Sequence, residues 1–148
     1  MLSYHLFKNS LSFDDVLLEP KFSNIESRRE IIISTKIGDI TLGLPVIYSP
    51  MDTVTETDML VAMDNHSGLG IAHRYNEIQD QCLMVSGAKK RNGATHLGAA
   101  IGVSGDFLER AQALRDAGAN VLCVDIAHGH HILMKNALEA LRDALGDS

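Results

Sequence analysis

A unit of strand, polar turn and helix recurs along most of the chain at a spacing of about 25 residues. In its clearest copy, Val121–Val124 is a short apolar run rich in β-branched residues, which is typical of a buried strand. Asp125 ends that run, because an unpaired carboxylate is costly to bury. Apolar residues then follow at helical spacing, so the pattern predicts a helix from about His131 to Leu145.

Three earlier copies of this unit precede it. Their predicted strands are Val46–Tyr48, Ile71–Ala72 and Leu97–Ile101. Each is followed by a helical pattern, and the residues that we expect to cap these helices are Thr55, Asn76 and Ser104. We expect Gly93 and Gly118 to end the second and third helices. A repeat of this kind predicts parallel strands that are joined by right-handed helical crossovers.

A hairpin is predicted ahead of the repeat. Two β-prone runs, Glu30–Thr35 and Asp39–Leu42, flank Gly38. We therefore divide the single domain into residues 1–44, an extension with a hairpin cap, and residues 45–148, four β/α units. Four such units fit either half of a (β/α)₈ barrel or a small open doubly wound sheet.

Composition and charge exclude several classes of protein. The formal net charge is -6 and no basic face dominates, which argues against a nucleic-acid partner. No apolar run approaches the ~20 residues of a membrane span. The two cysteines have no close spacing, so we expect neither a disulfide framework nor a metal knuckle. These features together predict a cytoplasmic protein that binds neither nucleic acid nor membrane.

Polar and small residues stand where each predicted strand ends. In both architectures the reactive groups gather at these carboxyl ends, which here are Ser49 with Met51, His73 with Arg74, Gly102 with Val103, and Asp125 with Ala127 and His128. An arginine suits a phosphate and a carboxylate suits ribose hydroxyls, so the set predicts a nucleotide site. Each residue also has a structural interpretation: a helix cap for Asp125, a rim salt bridge for Arg74 and a local turn for Ser49.

The remaining metal-ligating and nucleophilic side chains do not form a convincing site. His128, His130 and His131 are of a type that binds zinc, but they have no cysteine or nearby glutamate beside them. Cys123 lies inside a predicted strand and Cys82 on a predicted helix face. We therefore predict no metal site and no nucleophilic cysteine in these residues.

Four segments of the chain resemble the family of inosine-monophosphate dehydrogenase and guanosine-monophosphate reductase. They are spaced in the family's order and cover most of the chain: residues 11–20 (LSFDDVLLEP), 49–56 (SPMDTVTE), 68–74 (GLGIAHR) and 124–130 (VDIAHGH). The resemblance implies a (β/α)₈ TIM barrel, to which this chain would supply about the first four β/α units and the hairpin cap.

The resemblance also implies a reaction. We expect NAD-dependent oxidation of inosine monophosphate to xanthosine monophosphate in guanine nucleotide biosynthesis, by thiolate attack on purine C2 and hydride transfer. Asp52, directly after Met51, favours this dehydrogenase. An NADPH-dependent guanosine-monophosphate reductase is the alternative, favoured because the second helix leads directly to the third strand without the regulatory CBS modules. A non-catalytic nucleotide-binding half-barrel is a second alternative, from another class.

By this resemblance, Ser49 and Met51 line the purine-nucleotide pocket. The residues that would contact the nicotinamide dinucleotide, NAD or alternatively NADP, are Asp125, Ile126 and Ala127 at the fourth strand end and Ser27 and Arg28 in the early loop.

Two residues depart from the family's pattern. Arg74 stands where the family usually carries a lysine near the reacting base, and it is the one catalytic candidate in this chain. An arginine keeps the charge but cannot offer a neutral amine for proton transfer. His131 stands where a serine is common.

The family's catalytic cysteine loop and its phosphate-binding glycines come after the fourth strand and are not among these residues. We therefore expect no turnover by this chain alone, and a monovalent cation only through that further segment. The complete enzyme is expected to be a homo-oligomer, a tetramer.

Overall fold

The computed structural model describes residues 11–146. The chain divides into two compact units, Met1–Ile32 and Ile33–Ser148. The described part of the first unit contains two short 3-10 turns, Phe13–Asp15 and Arg28–Glu30. Among residues 11–146, no helix has the length and apolar character needed to cross a membrane.

The described part of the second unit, residues 33–146, contains a hairpin, a parallel sheet and four helices. Strands β1 (Thr35–Ile37) and β2 (Ile40–Leu42) pair antiparallel. The parallel sheet has the order β3-β4-β5-β6, with strands β3 (Ile47–Tyr48), β4 (Leu69–Ala72), β5 (Leu97–Ile101) and β6 (Val121–Val124). The helices alternate with these strands and are α1 (Thr57–Asn65), α2 (Ile78–Asn92), α3 (Phe107–Ala117) and α4 (Ile132–Leu145).

All four helices pack on the same face of the parallel sheet. One buried cluster joins a residue of each helix, such as Leu60, Val85, Leu114 and Leu141, to the strand residues that point toward them. A doubly wound sheet would carry helices on both faces and reverse its strand order at a switch point. Consecutive strands with helices on one face are instead the arrangement of a partial α/β barrel.

The hairpin covers part of the opposite face. Leu42 of β2 is fully buried there against Leu69, Ile71 and Ala100. These strand residues alternate with those that face the helices, as the two-residue period of a strand requires. Both faces of the sheet centre are therefore apolar, which explains why β4 and β5 are buried along their whole length.

Glycine allows β4 and β5 to approach closely. A Cβ atom built on Gly98 would lie 2.8 Å from the carbonyl oxygen of Gly70 and 2.9 Å from Cγ1 of Ile71. Neither neighbour has room to yield, because both belong to the adjacent strand. A side chain at position 98 would force the two strands apart.

Several sequence predictions are confirmed. Strands β5 and β6 have the predicted bounds, and Gly93 and Gly118 end α2 and α3 in the left-handed conformation, with φ of 68° and 111°. The helix predicted from His131 is α4, which begins one residue later with His131 as its N-cap.

The predicted first hairpin strand, Glu30–Thr35, is wrong. The pairing strand is Thr35–Ile37, because the turn at Gly38, with φ of 54°, pairs Ile37 with Ile40 and so sets the register.

The three predicted N-caps are also wrong. The residues at the N-cap positions of α1, α2 and α3 are Glu56, Glu77 and Asp106, and none of them accepts a capping hydrogen bond through its side chain. Thr55 is instead fully buried and donates from Oγ1 to the carbonyl oxygen of Ser49 at 2.6 Å. Because Thr55 hydrogen-bonds to the backbone of Ser49, its side chain does not cap α1.

A buried glutamine ties two strand ends together. Gln81 of α2 is fully buried, and its Nε2 donates to the carbonyl oxygens of Ala100 at 2.8 Å and Ala72 at 3.4 Å. Its Oε1 accepts from Nη1 of Arg110 at 2.9 Å. The side-chain amide of Gln81 therefore holds the carboxyl-terminal parts of β4 and β5 at a fixed distance from α2.

Arg110 extends this network from α3. Its side chain is buried, and Nη2 donates to the carbonyl oxygen of Asn76 at 3.1 Å and to Oδ2 of Asp106 at 2.8 Å. The guanidinium group thus has charge compensation from a half-exposed carboxylate and fixed partners on α2 and on the chain before it.

We predict that Arg110→Met lowers the free energy of unfolding by about 2–3 kcal/mol, because the oxygens of Gln81 and Asn76 lose a donor that water cannot easily replace. Arg91→Met is the control. Arg91 pairs with Asp58 on the exposed surface, so its loss should cost less than about 1 kcal/mol. Urea denaturation followed by circular dichroism measures both changes, and equal costs would contradict the prediction.

Candidate functional site

The four strand ends share one edge of the sheet, because the strands are parallel. Ser49, His73, Gly102 and Asp125 are the residues that directly follow β3, β4, β5 and β6. Neighbouring strands lie about 4.8 Å apart, so Ser49 and Asp125 are separated by roughly 14 Å along this edge. One small group cannot contact both, and a ligand that does must be extended.

An ion pair crosses the edge from β4 to β6. Nε of Arg74 donates to Oδ2 of Asp125 at 3.1 Å, and the two side chains are 34% and 30% exposed. The arginine passes β5 at Gly102, where a Cβ atom would lie 3.8 Å from Nη1. The rim salt bridge expected as the structural alternative for Arg74 is therefore present, and its partner is Asp125.

Asp125 does not cap α4. His131 takes that role, since its Nδ1 accepts from the backbone N–H of Leu133 at 3.1 Å. The backbone N–H of Asp125 donates to the carbonyl oxygen of Ile101 at 2.8 Å, which continues the pairing of β5 with β6. Within residues 11–146, no hydrogen bond reaches Oδ1 of Asp125, so this oxygen can accept one from a ligand.

A small polar cleft of about 220 Å³ lies beside the ion pair. Both signs of charge line it, and its wall includes Gly102, Ser104, Ile126 and Ala127. Its volume is below the roughly 300–1,000 Å³ of a typical small-molecule site. The cleft can hold one ring-sized group of a larger ligand.

Two larger clefts, of about 620 Å³ and 590 Å³, lie along α4. Leu138 lines both, and Met134 lines the first. These two clefts are large because no described element covers the outer side of α4 and β6. Charged side chains also line the first of them, including Lys135 and Glu139. The smaller cleft is the one of the three that contains residues directly following the strands, and for that reason we place the candidate site there.

Tyr75 supports Arg74 from the other side. The guanidinium carbon of Arg74 lies 5.4 Å from the centroid of the Tyr75 ring, within cation–π range. That ring is stacked at 6.3 Å on the imidazole of His73. Tyr75 is not predictable from the sequence, because a tyrosine that follows a strand end carries no signal of its own.

Ser49 and Met51 are presented at the opposite end of the edge. The carbonyl oxygen of Ser49 accepts from Met51 N at 2.9 Å as well as from Thr55. The local turn expected for Ser49 is therefore real, and both side chains are exposed. Contact of these two side chains with a nucleotide remains a prediction.

A histidine and two carboxylates form a cluster that the sequence analysis missed. His73 is buried, and Nε2 lies 3.6 Å from Oδ1 of Asp52 and 3.7 Å from Oε1 of Glu56. The three ligand atoms are within 4.8 Å of one another. The only sequence signal is that a polar residue directly continues the buried run of β4.

Ser27 and Arg28 belong to the first unit. Oγ of Ser27 accepts from the backbone N–H of Arg29 at 3.3 Å and caps the second 3-10 turn. Their contact with a cofactor remains a prediction.

The surroundings of the two cysteines and of the three histidines at the start of α4 indicate structural roles. Burial raises the pKa of the Cys82 thiol and of the Cys123 thiol, so little of either is present as the nucleophilic thiolate at neutral pH. His128, His130 and His131 are exposed at the start of α4, as a solvated helix start predicts.

We predict a coupling free energy of about 1 kcal/mol between Arg74 and Asp125 in a double-mutant cycle with Arg74→Met and Asp125→Asn. The pair is only one-third exposed and has a defined path over Gly102. Lys135 and Glu139 on the exposed surface of α4 form the control pair, for which we expect about 0.3 kcal/mol. Urea denaturation of the four proteins in each cycle measures both, and a coupling at Arg74–Asp125 no larger than the control would contradict this.

The chain matches a known domain family and several named proteins. Residues 10–147 match the domain family described as IMP dehydrogenase / GMP reductase domain. The inosine-5'-monophosphate dehydrogenase of Nitrosopumilus maritimus is 44% identical over 101 residues, which cover 68% of this chain and 21% of that protein.

Two further relatives extend the match. The inosine-5'-monophosphate dehydrogenase of Cryptosporidium parvum is 30% identical over 177 aligned residues, covering 91% of this chain and 44% of that protein. The GMP reductase of Leishmania donovani is 42% identical over 81 residues, covering 54% of this chain and 16% of that protein. The chain thus spans less than half the length of these relatives. From the match over residues 10–147, the chain belongs to the IMP dehydrogenase / GMP reductase family.

Proposed function

We propose that this chain is the N-terminal part of a (β/α)₈ catalytic barrel, with residues 1–44 as extension and hairpin and residues 45–148 as four of its eight units. The consecutive parallel strands and the single helical face support this. Strands β3 and β6 each have one edge that no described strand covers. In a closed barrel further strands pair with both edges.

The reaction that we propose is the NAD-dependent oxidation of inosine monophosphate to xanthosine monophosphate. The observation that carries the proposal is the Arg74–Asp125 pair, held over Gly102 beside a ring-sized cleft at the strand ends, in a chain of this family. A hydroxyl and a thioether stand at the other end of the same edge, on Ser49 and Met51, where a purine nucleotide would be contacted.

The residues of the cleft fit one end of a nicotinamide dinucleotide. Oδ1 of Asp125 is available to accept a hydrogen bond, and Ile126 and Ala127 form the adjoining wall. When bound, the nicotinamide would supply the hydride acceptor. Arg74 orients Asp125 and balances its charge, and it does not move a proton, because a guanidinium stays protonated in proteins.

We predict that the 148-residue chain does not turn over inosine monophosphate. The family's reaction needs a thiolate, and burial raises the pKa of both cysteines, of which Cys82 lies on α2 and Cys123 in β6. The measurement is the absorbance of reduced cofactor after the chain is mixed with inosine monophosphate and NAD. A rate that rises in proportion to the concentration of the chain would refute the prediction.

The reaction itself is tested in a protein that carries these residues within a complete barrel. We predict oxidation of inosine monophosphate with NAD, and a fall in kcat/KM of about tenfold or more for Asp125→Ala, because a cofactor contact is lost. Lys135→Ala on the exposed surface of α4 is the control and should leave kcat/KM unchanged. Reduction of guanosine monophosphate with NADPH, and no oxidation of inosine monophosphate, would overturn the choice of reaction.

Guanosine-monophosphate reductase is the second candidate. It is supported by the four-residue connection from α2 to β5, which leaves no room for an inserted module. The Leishmania relative named GMP reductase has an identity similar to those named dehydrogenase.

A non-catalytic half-barrel is the third candidate. It is supported by the two uncovered sheet edges, which a second copy would cover. Measurement of molecular mass in solution tests it. A dimer of the chain that binds the nucleotide, together with no turnover by a longer protein that contains these residues, would favour it.

A further inference from the structure

His73 is a buried histidine that directly follows β4. Its side chain is 3% exposed, and its Nδ1 accepts a hydrogen bond from the backbone N–H of Tyr75 at 3.3 Å. An imidazole nitrogen that accepts carries no proton. In the neutral ring the proton is therefore on Nε2, which makes Nε2 a donor.

Nε2 is aimed at two carboxylates. It is buried and has no hydrogen-bond partner among the described residues, with Asp52 Oδ1 at 3.6 Å and Glu56 Oε1 at 3.7 Å. Both separations are somewhat longer than a hydrogen bond, and a shift of less than 1 Å closes either one. The carboxylates are 62% and 51% exposed, so they remain hydrated while one of their oxygens faces the ring.

The same stretch of chain is tied to β4 by a second route. The backbone N–H of His73 donates to the carbonyl oxygen of Thr55 at 3.4 Å, and Thr55 Oγ1 donates to the carbonyl oxygen of Ser49. The β3–α1 segment, residues 49–56, therefore meets His73 through Asp52, Thr55 and Glu56. This segment also carries Ser49 and Met51.

We propose that His73 is a positioning residue: its neutral ring donates from Nε2 to the carboxylates of the β3–α1 segment and fixes Ser49 and Met51 relative to β4. The positioning of nucleotide contacts rests on the proposed function, whereas the fixing of the segment does not.

A divalent metal ion is the competing occupant of this cluster. One nitrogen and two carboxylate oxygens within 4.8 Å of one another are a ligand set that zinc accepts. Coordination through Nε2 requires that the proton move to Nδ1. A proton on Nδ1 would face the N–H of Tyr75, which donates to Nδ1 in this structure. The contact with Tyr75 therefore favours the tautomer with its proton on Nε2, which can donate from Nε2 but cannot bind a metal there.

Amide hydrogen exchange measures the fixing of the segment directly. The amides of Val54 and Thr55 report on it, because both donate to the carbonyl oxygen of Met51 within the segment. For His73→Ala we expect them to exchange about tenfold faster relative to the amides of β5, the effect of roughly one lost buried hydrogen bond. His73→Gln keeps an N–H donor on a side chain of similar reach, and we expect exchange within about threefold of the unchanged chain.

Two further comparisons complete this experiment. His66→Ala, at the exposed far end of α1, is the control and should leave Val54 and Thr55 unchanged. If His73→Ala does not fold, the double variant Asp52→Ala with Glu56→Ala replaces it. The matched double variant Asp52→Asn with Glu56→Gln keeps an acceptor oxygen at each position and should behave as the unchanged chain does.

Equal exchange at Val54 and Thr55 in the unchanged chain and in the alanine variants would overturn the proposal. Zinc alone, added to the chain, is expected to have no effect on this exchange. Slower exchange with one equivalent of zinc, lost in His73→Gln, would show a metal site and overturn it as well.

Calorimetric titration with inosine monophosphate tests the link to the nucleotide. We expect His73→Ala to weaken binding by about tenfold and His73→Gln to restore most of it. The titration uses a protein that carries these residues within a complete barrel. If that protein does not bind the nucleotide with His73 unchanged, the proposed function fails, and the exchange result still decides whether His73 fixes the segment. If the alanine variant exchanges faster but binds equally well, His73 does not position the nucleotide contacts, and that part of the proposal is overturned.

Discussion

The close pairing of β4 with β5 is the contact on which the rest of the second unit depends. Gly98 lets β5 lie against Gly70 and Ile71 at a distance that no Cβ atom would permit. The sheet is thereby close-packed at its centre, and its helices all cover the same face. Because the strands are parallel, this packing also brings every strand end to one edge. The candidate site is a consequence of that geometry more than of any single residue.

Buried polar side chains are concentrated where the apolar strands stop. Gln81 donates to the carbonyl oxygens of Ala72 in β4 and Ala100 in β5, Arg110 donates to Gln81, and His73 continues β4 directly. A polar group in this position is costly unless it is paired, so each one links elements that would otherwise be joined only by apolar contact. The edge that carries the candidate site is therefore held by directional bonds, whereas the centre of the sheet is held by packing.

Much of the fold is visible in the sequence because it follows from local rules. β-branched and small apolar runs predict β5 and β6, and Gly93 and Gly118 predict the ends of two helices. The helix starts were predicted less well, since Thr55 hydrogen-bonds to Ser49 instead of capping α1. The candidate residues at the strand ends were found by position alone. The cluster of Asp52, Glu56 and His73 could not be found in this way, because it exists only when α1 has packed beside β4.

The absence of a side chain at position 102 has a consequence for how this edge can change in evolution. Arg74 reaches Asp125 across that position, and there is room for a methyl group but little more, since a Cβ atom would already lie 3.8 Å from the guanidinium. A branched residue would displace the arginine and separate two opposite charges that now neutralise each other. Substitutions at the three positions are therefore epistatic: bulk at 102 costs the ion pair, about 1 kcal/mol, while Arg74 is present, and costs less once the arginine has been shortened or removed, so the order in which such changes accumulate matters.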